Sequence, residues 1–470
     1  MTETTQQPGS WRELLGQHLG TSTVLAGGVA MYATNEFLTV SLLPSTVAEI
    51  GGGRLYAWVV TLYLVGSVVA ATTVNPILRR FGARSSFLMA LGLFGLASLV
   101  CAAAPTMEVL IAGRTLQGMA GGTLAGLGYA LINSALPRSL WTRGSALVSA
   151  MWGVATVVGP AMGGLFAQFG LWRWAFGAMA VLTALMGILV PLVLRGDTAP
   201  ARQSEAPSAL GVPVWSLLLI GAAALAVSVA QLPRHALTIA ALLGIGILLI
   251  VAFIAVDRRG GATVLPPSVF GFGPLKWIYL TMAVLMMAVM IDTYVPLFGQ
   301  RLGHLTPVAA GFLGASLAVG WTVSEIASAS LNNPRAIGRV VLAAPVVMAA
   351  GLAVGAVTQR ADASTGLVLI WALSLLVAGT GIGMAWPHLS ARAMDSVDDP
   401  SESGAAAAAI NTVQLISAAF GAGLAGVVVN TASGGEVAEA RWLYAAFTVL
   451  AAIGVFASYR ATRGDRQSPR

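Results

Sequence analysis

Apolar runs of about 20 residues, separated by short polar links, recur from residue 23 to residue 459. A run of that length crosses roughly 30 Å of hydrocarbon as a helix. A spanning strand would show alternating segments of about ten residues, and the chain has no such alternation. The pattern predicts fourteen helical spans near 23–48, 55–77, 85–104, 108–134, 142–167, 174–194, 212–231, 236–256, 275–299, 307–329, 338–358, 365–390, 404–430 and 441–459. Two longer polar stretches break the rhythm. Residues 195–212 are rich in Pro, Ala and charge, and residues 257–274 hold paired arginines, several glycines and Pro266–Pro267. Both read as links. Between them lies a tight hairpin turning at Gln231–His235, with six spans before it and six after. The predicted class is an all-α integral membrane protein built as two six-helix bundles, residues 1–197 and 261–470, with a linker and inserted two-helix hairpin at 198–260. Transporters often arise from such halves, with the solute path between them. No strong sequence repeat relates the two halves.

Composition agrees and removes other classes. Charged residues make up 9% of the 470-residue chain, against about 25% in soluble domains. The net charge of +7 is a matter of placement rather than of nucleic-acid binding. With both termini in the cytoplasm, inside links and tails hold 18 Lys/Arg, outside links hold six, and Arg114 sits within a span. That bias follows the positive-inside rule and fits an even number of spans. The first 22 residues are polar and lack a short apolar core with a cleavage site, so the first span itself is expected to direct insertion. Cys101 is alone, no Cys/His spacing suits a metal, and no cofactor is implied. One Lys against 24 Arg suits a GC-rich bacterial genome. The expected location is a cytoplasmic membrane, crossed many times.

Three patterns carry chemistry. The fourth span holds Leu110, Arg114, Gln117, Gly118 and Gly121. An arginine inside a span is expensive unless it faces water or a partner. Gln117 lies about one turn along on the same face, and the glycines permit close helix contact. The fifth span holds Gly159-Pro160 and Gly163-Gly164, which suit bending and close backbone approach. Trp172-Arg173-Trp174, with Phe176, suits an outer membrane interface.

These patterns resemble the major facilitator superfamily, specifically its drug:proton antiporters. The Arg114 pattern is similar to that superfamily's motif B at all five marked positions, and the Gly159-Pro160 pattern to motif C, a signature of antiporters. Ala146 and Ala155 stand where the long form of motif C has glycine. The run Trp58-Val59-Val60-Thr61, followed by Tyr63-Leu64, is similar to the fourteen-helix branch of these exporters. Motif A departs: Arg79 takes its acidic position in the stretch Asn75 to Ala83, with Arg80 next to it. Asn35-Glu36-Phe37 ahead of Pro44 resembles a twelve-helix sugar and drug exporter pattern instead. The resemblance implies alternating access between two halves, with proton and small-molecule substrate as partners. Spans 1 and 9 would then line the central cavity.

Three acids fall inside spans: Glu36, Asp292 and Glu325. A carboxylate moved between dry and wet, paired and unpaired surroundings is a natural proton carrier. Glu36 is expected to carry the proton and Arg114 to tune it, while Asp292, close to Tyr294 and Pro296, could bind a proton or a cationic substrate. For Glu325 a coupling and a structural role weigh equally. Asn35, Gln117, Met286, Met290 and Tyr294 are the candidate substrate contacts. Met282, Met286 and Met290 recur every four residues and suit either a polyspecific face or ordinary packing. Gly159, Pro160, Gly163, Gly164, Arg79 and Arg80 are candidate conformational residues. His388 and the acidic stretch Asp395 to Glu402 read as structural or simply solvated. The leading expectation is a monomeric, proton-coupled exporter of amphipathic drug-like or lipid-like compounds, surrounded by membrane lipids. A dedicated transporter of one metabolite, sugar or lipid, working without proton coupling, is the alternative. A membrane enzyme is disfavoured, since no nucleophile–base pair or phosphate loop is present.

Overall fold

A computed structural model describes residues 11–71, 73–194, 213–233, 235–260, 263–331, 333–397, 399 and 402–463. The expected link 195–212, Arg234 in the hairpin turn and Asp398 lie outside the described residues. All regular structure among the described residues is helical. The long helices are α1 (Leu19–Ile50), α2 (Tyr56–Ala71), α3 (Val74–Ala102), α4 (Met107–Ala130), α5 (Trp141–Gln168), α6 (Trp172–Val193), α7 (Val214–Val229) and α8 (Ala236–Asp257). They continue as α9 (Leu275–Gly303), α10 (Pro307–Ala329), α11 (Pro334–Thr358), α12 (Thr365–Asp395), α13 (Ser403–Thr431) and α14 (Glu436–Arg463).

Eleven described helices are long and apolar enough to cross a membrane. The long helices outside that set are informative. Helix α7, with 16 residues, is apolar but short. Helices α1 and α4 have the length, but carry Asn35, Glu36, Arg114, Gln117 and many small residues. In both, Asn35, Arg114 and Gln117 are buried among protein groups.

In the first half α1 packs on α5, α2 and α3 on α4, and α3 on α6. In the second, α12 packs on α10 and α11, and α14 on α9 and α11. The halves meet along two seams, α5 with α10 and α2 with α13. Small residues set the spacing. A Cβ on Gly122 of α4 would stand 2.5 Å from the Ser67 carbonyl oxygen of α2, and one on Gly118 would collide with that of Tyr63.

Helix α3 holds a break that the expected loop between spans 2 and 3 foreshadowed. Its first two turns continue the course of α2, with Val74 against Gly126. The chain then reverses at Gly82, whose φ of 73° suits glycine. Arg79 and Arg80 are exposed at that reversal and make no ion pair among the described residues; Arg80 lies over the Phe81 ring.

The hairpin is tied in at the end of the bundle opposite the chain termini, called the far end below. Trp58 Nε1 of α2 donates to the Ser228 carbonyl of α7 at 2.9 Å, and the Arg54 guanidinium donates to the Leu232 carbonyl. Asn430 of α13 donates to the Arg54 carbonyl at 2.9 Å and to Gln231 Oε1 at 3.4 Å. Helix α7 thus touches both halves, while α8 packs chiefly on α7 and presents an apolar face outward.

Candidate functional site

Arg114 lies about two turns into α4 and is 0% exposed. Its Nη1 donates to Asn35 Oδ1 of α1 and, at 2.9 Å, to Gln117 Oε1 one turn along α4. Its guanidinium carbon stands 3.9 Å from the centroid of the Tyr63 ring of α2, a cation–π placement. Gln117 Nε2 in turn donates to Ser98 Oγ of α3 at 2.8 Å. A planar fork of donors suits this arrangement, because one side chain joins several helices without leaving the interior.

The aromatic wall beside it continues through α1. Tyr63 Oη donates to the Tyr32 carbonyl at 2.9 Å, and the two rings stack at 5.4 Å. Tyr32 also meets Trp152 of α5 edge-on at 5.6 Å. Tyr32 and Glu36 are one turn apart on α1. Glu36 is half-buried and lies within electrostatic range both of Arg114 and of Asp292 on α9. Asp292 belongs to the 3-10 segment Met290–Tyr294 that interrupts α9. Tyr294, at the end of that segment, stacks on Tyr56 of α2 at 4.7 Å and so joins the two halves.

Several polar atoms here have no hydrogen-bond partner among the described residues: Asn35 Nδ2, Glu36 Oε2, Arg114 Nε, Tyr56 Oη, Thr61 Oγ1 and Thr293 Oγ1. Each unmet buried group costs about 1–3 kcal/mol. They lie between α1, α2, α4 and α9.

The structure therefore joins Asn35 to Arg114 and sets Glu36 within electrostatic range of both Arg114 and Asp292, while Tyr294 packs apart from them on Tyr56 and Phe298. Gln117 has both ends of its amide engaged and braces Arg114, so it shows no free edge toward a substrate. Met282, Met286 and Met290 are buried, and Met290 is seated against Gly421 of α13. Glu325 stands elsewhere, near the end of α10, and no electrostatic interaction links it to the other acids. Tyr32, Trp152, Tyr56 and Thr293 were not evident from the sequence. The signal available for Tyr32 was its spacing of one turn from Glu36.

The glycine–proline pattern of α5 forms the seam. A Cβ on Gly159 or Gly163 would press on Phe37, Leu38 and Ser41 of α1. One on Gly164 would stand 2.6 Å from Val308 Cα of α10 in the other half. Gly311 of α10 answers from its side, close to Ser41 and to the Pro160 carbonyl. Nearby, Trp172 Nε1 donates to Glu49 at 2.6 Å and Arg173 pairs with the same carboxylate, closing the far ends of α1 and α6. Trp174, 66% exposed, points outward as the interface reading expects.

Comparison with known proteins gives this geometry a family. The family model described as Major Facilitator Superfamily matches residues 25–422. The chain is 74% identical over 471 residues to a probable multidrug-efflux transporter of Mycobacterium tuberculosis, with 100% of both chains covered. It is 28% identical over 432 residues to a puromycin resistance protein of Streptomyces alboniger, covering 89% of this chain and 82% of that one. A crystal structure of an auto-inhibited POT family peptide transporter superposes with a TM-score of 0.68 at 13% identity, covering 96% of this chain and 97% of that one. That likeness shows the fold alone. The protein is a multi-pass membrane transporter and belongs to the major facilitator superfamily.

Proposed function

We propose that the protein is a proton-coupled exporter of amphipathic drug-like or lipid-like small molecules, working by alternating access between residues 1–197 and 261–470. Fourteen spans, with both termini in the cytoplasm and the hairpin of 198–260 inserted between the halves, complete this reading for a monomer. The observation that carries it is that Glu36 lies within electrostatic range of Arg114 in its own half and of Asp292 in the other. Drug export is supported by the probable multidrug-efflux transporter at 74% identity.

In this mechanism Glu36 takes the proton while it faces water. Protonation removes its attraction to Arg114, and the loss of a buried charge favours occlusion. Asp292 shares the negative field from the other half, so proton and cationic cargo compete for one region. Tyr32, Asn35, Tyr294 and Met286 would line the cargo's path. The glycines at 159, 163 and 164 and Pro160 let α5 slide or rock against α1 and α10. In inverted vesicles under a pH gradient, Glu36→Gln is expected to abolish proton-driven drug uptake while the purified protein stays monodisperse. Uptake at the normal rate would overturn the assignment.

A second reading, a dedicated transporter without proton coupling, is favoured by Arg79. The acid of the usual motif is replaced there by an exposed cation that forms no ion pair among the described residues. Uptake of one compound that ignores the pH gradient would select it.

A further inference from the structure

We propose that the inserted hairpin is a latch on the far end of the bundle, fastened to the second half and clipped releasably to the first. Helix α7 lies across the seam where α2 meets α13, and touches both. In alternating access, on which this inference rests, the halves part at the far end, and α7 can then follow only one of them.

Its hold on α13 is the closer. A Cβ on Gly426 would collide with Gln231 Oε1, and one on Gly423 would stand 3.0 Å from Ser228 Oγ and 3.3 Å from Val227 Cγ1. Gln231 and Ser228 are both buried. Asn430, farther along α13, adds its 3.4 Å bond to Gln231 Oε1. Side chains seated on two glycines about one turn apart leave little room for sliding.

The hold on the first half is of another kind. Beside it the packing is ordinary: a Cβ on Gly221 of α7 would stand 3.9 Å from Val65 Cγ1 of α2. What joins the two is a pair of hydrogen bonds to carbonyls at and just beyond the end of α7, where a helix leaves its last acceptors open. Trp58 Nε1 donates to the Ser228 carbonyl and the Arg54 guanidinium to the Leu232 carbonyl. The Ser228 carbonyl also accepts from Gln231 Nε2 at 2.9 Å, so it keeps a partner when Trp58 leaves. The Arg54 bond is exposed, as is the bond from Asn430 to the Arg54 carbonyl that passes directly between the halves. Water can take the place of either partner there, so these clips open and close at little cost. A buried hold on one side and water-replaceable clips on the other are what a latch requires.

The test uses the purified full chain in lipid nanodiscs, with Cys101→Ser and spin labels on Ala48→Cys and Ala361→Cys. Both are exposed positions at the far end, one in each half. Double electron–electron resonance reads the distance between them. Trp58→Phe with Arg54→Ala is expected to raise the share of the longer, open distance about fivefold over the labelled parent, and Trp58→Phe alone to raise it by less. An unchanged share overturns the latch, and so does a lower melting temperature with no change in distance, which would mark the hairpin as scaffold. Should the double variant fail to fold, Trp58→Phe alone decides by the same measure. If alternating access itself fails, the labelled parent keeps one distance at every pH and in the presence of tetraphenylphosphonium. The latch fails alone when the parent shows two distances and the variants leave their ratio as it was.

Discussion

Arg114 shows how one residue can be structural and functional at once. Its donors hold Asn35 and Gln117, and its plane lies over Tyr63, so α1, α2 and α4 share it. Lysine keeps the charge but has neither the fork nor the flat face. Arg114→Lys is expected to cost about 2 kcal/mol, the price of one or two unmet buried groups, and to lower the melting temperature of the purified protein by several degrees. A melting temperature equal to wild type would show that the fork is dispensable. Arg114, Glu36 and Asp292 were legible in the sequence because a charge inside an apolar run is costly and stands out against it. Tyr32, Trp152 and Tyr56 were not, because an aromatic residue in such a run looks the same whether it faces lipid, core or cavity. Only the fold brings Tyr32 beside Tyr63 and Tyr56 beneath Tyr294.

Among the elements, the helices were legible, since length and hydropathy are local properties, and eleven described ones are long and apolar enough to cross a membrane. The expected span 55–77 proved to be two helical pieces with a break near residue 73, and Gly82 rather than the charged stretch makes the turn. Pairings between helices were hidden, because they depend on small residues meeting across long sequence separations. Gly122 against Ser67 is such a case, and Gly122→Val is expected to abolish accumulation of folded protein, measured by fluorescence size-exclusion chromatography. The hairpin offers a gentler test. Asn430 binds the Arg54 carbonyl and Gln231, while Trp58 binds Ser228. Asn430→Ala with Trp58→Phe should leave the fold intact while raising hydrogen exchange in 228–235. Unchanged exchange there would mean that the hairpin is held by lipid-facing packing instead.

At the scale of the whole molecule, the far end is where the halves touch most closely. A Cβ on Gly311 stands 3.3 Å from that of Ser41, near the roughly 3.5–4.5 Å that a disulfide spans. The sole native cysteine, Cys101, is buried. Ser41→Cys with Gly311→Cys should therefore cross-link cleanly under oxidation and stop transport, and reductant should restore it. Transport that persists in the cross-linked protein would show that this end need not open. The polarity of α1 and α4 bears finally on how the chain is made. An arginine costs up to about 2.5–3.5 kcal/mol on insertion, the figure for a helix centre, and Asn35, which accepts from Arg114, lies three long helices earlier in the chain. Helix α4 is therefore expected to settle more readily in the bilayer once α1 and α2 stand beside it. Removing the acceptor with Asn35→Leu should then slow insertion of α4, measured by a glycosylation-mapping assay, and unchanged insertion would show that α4 enters unaided.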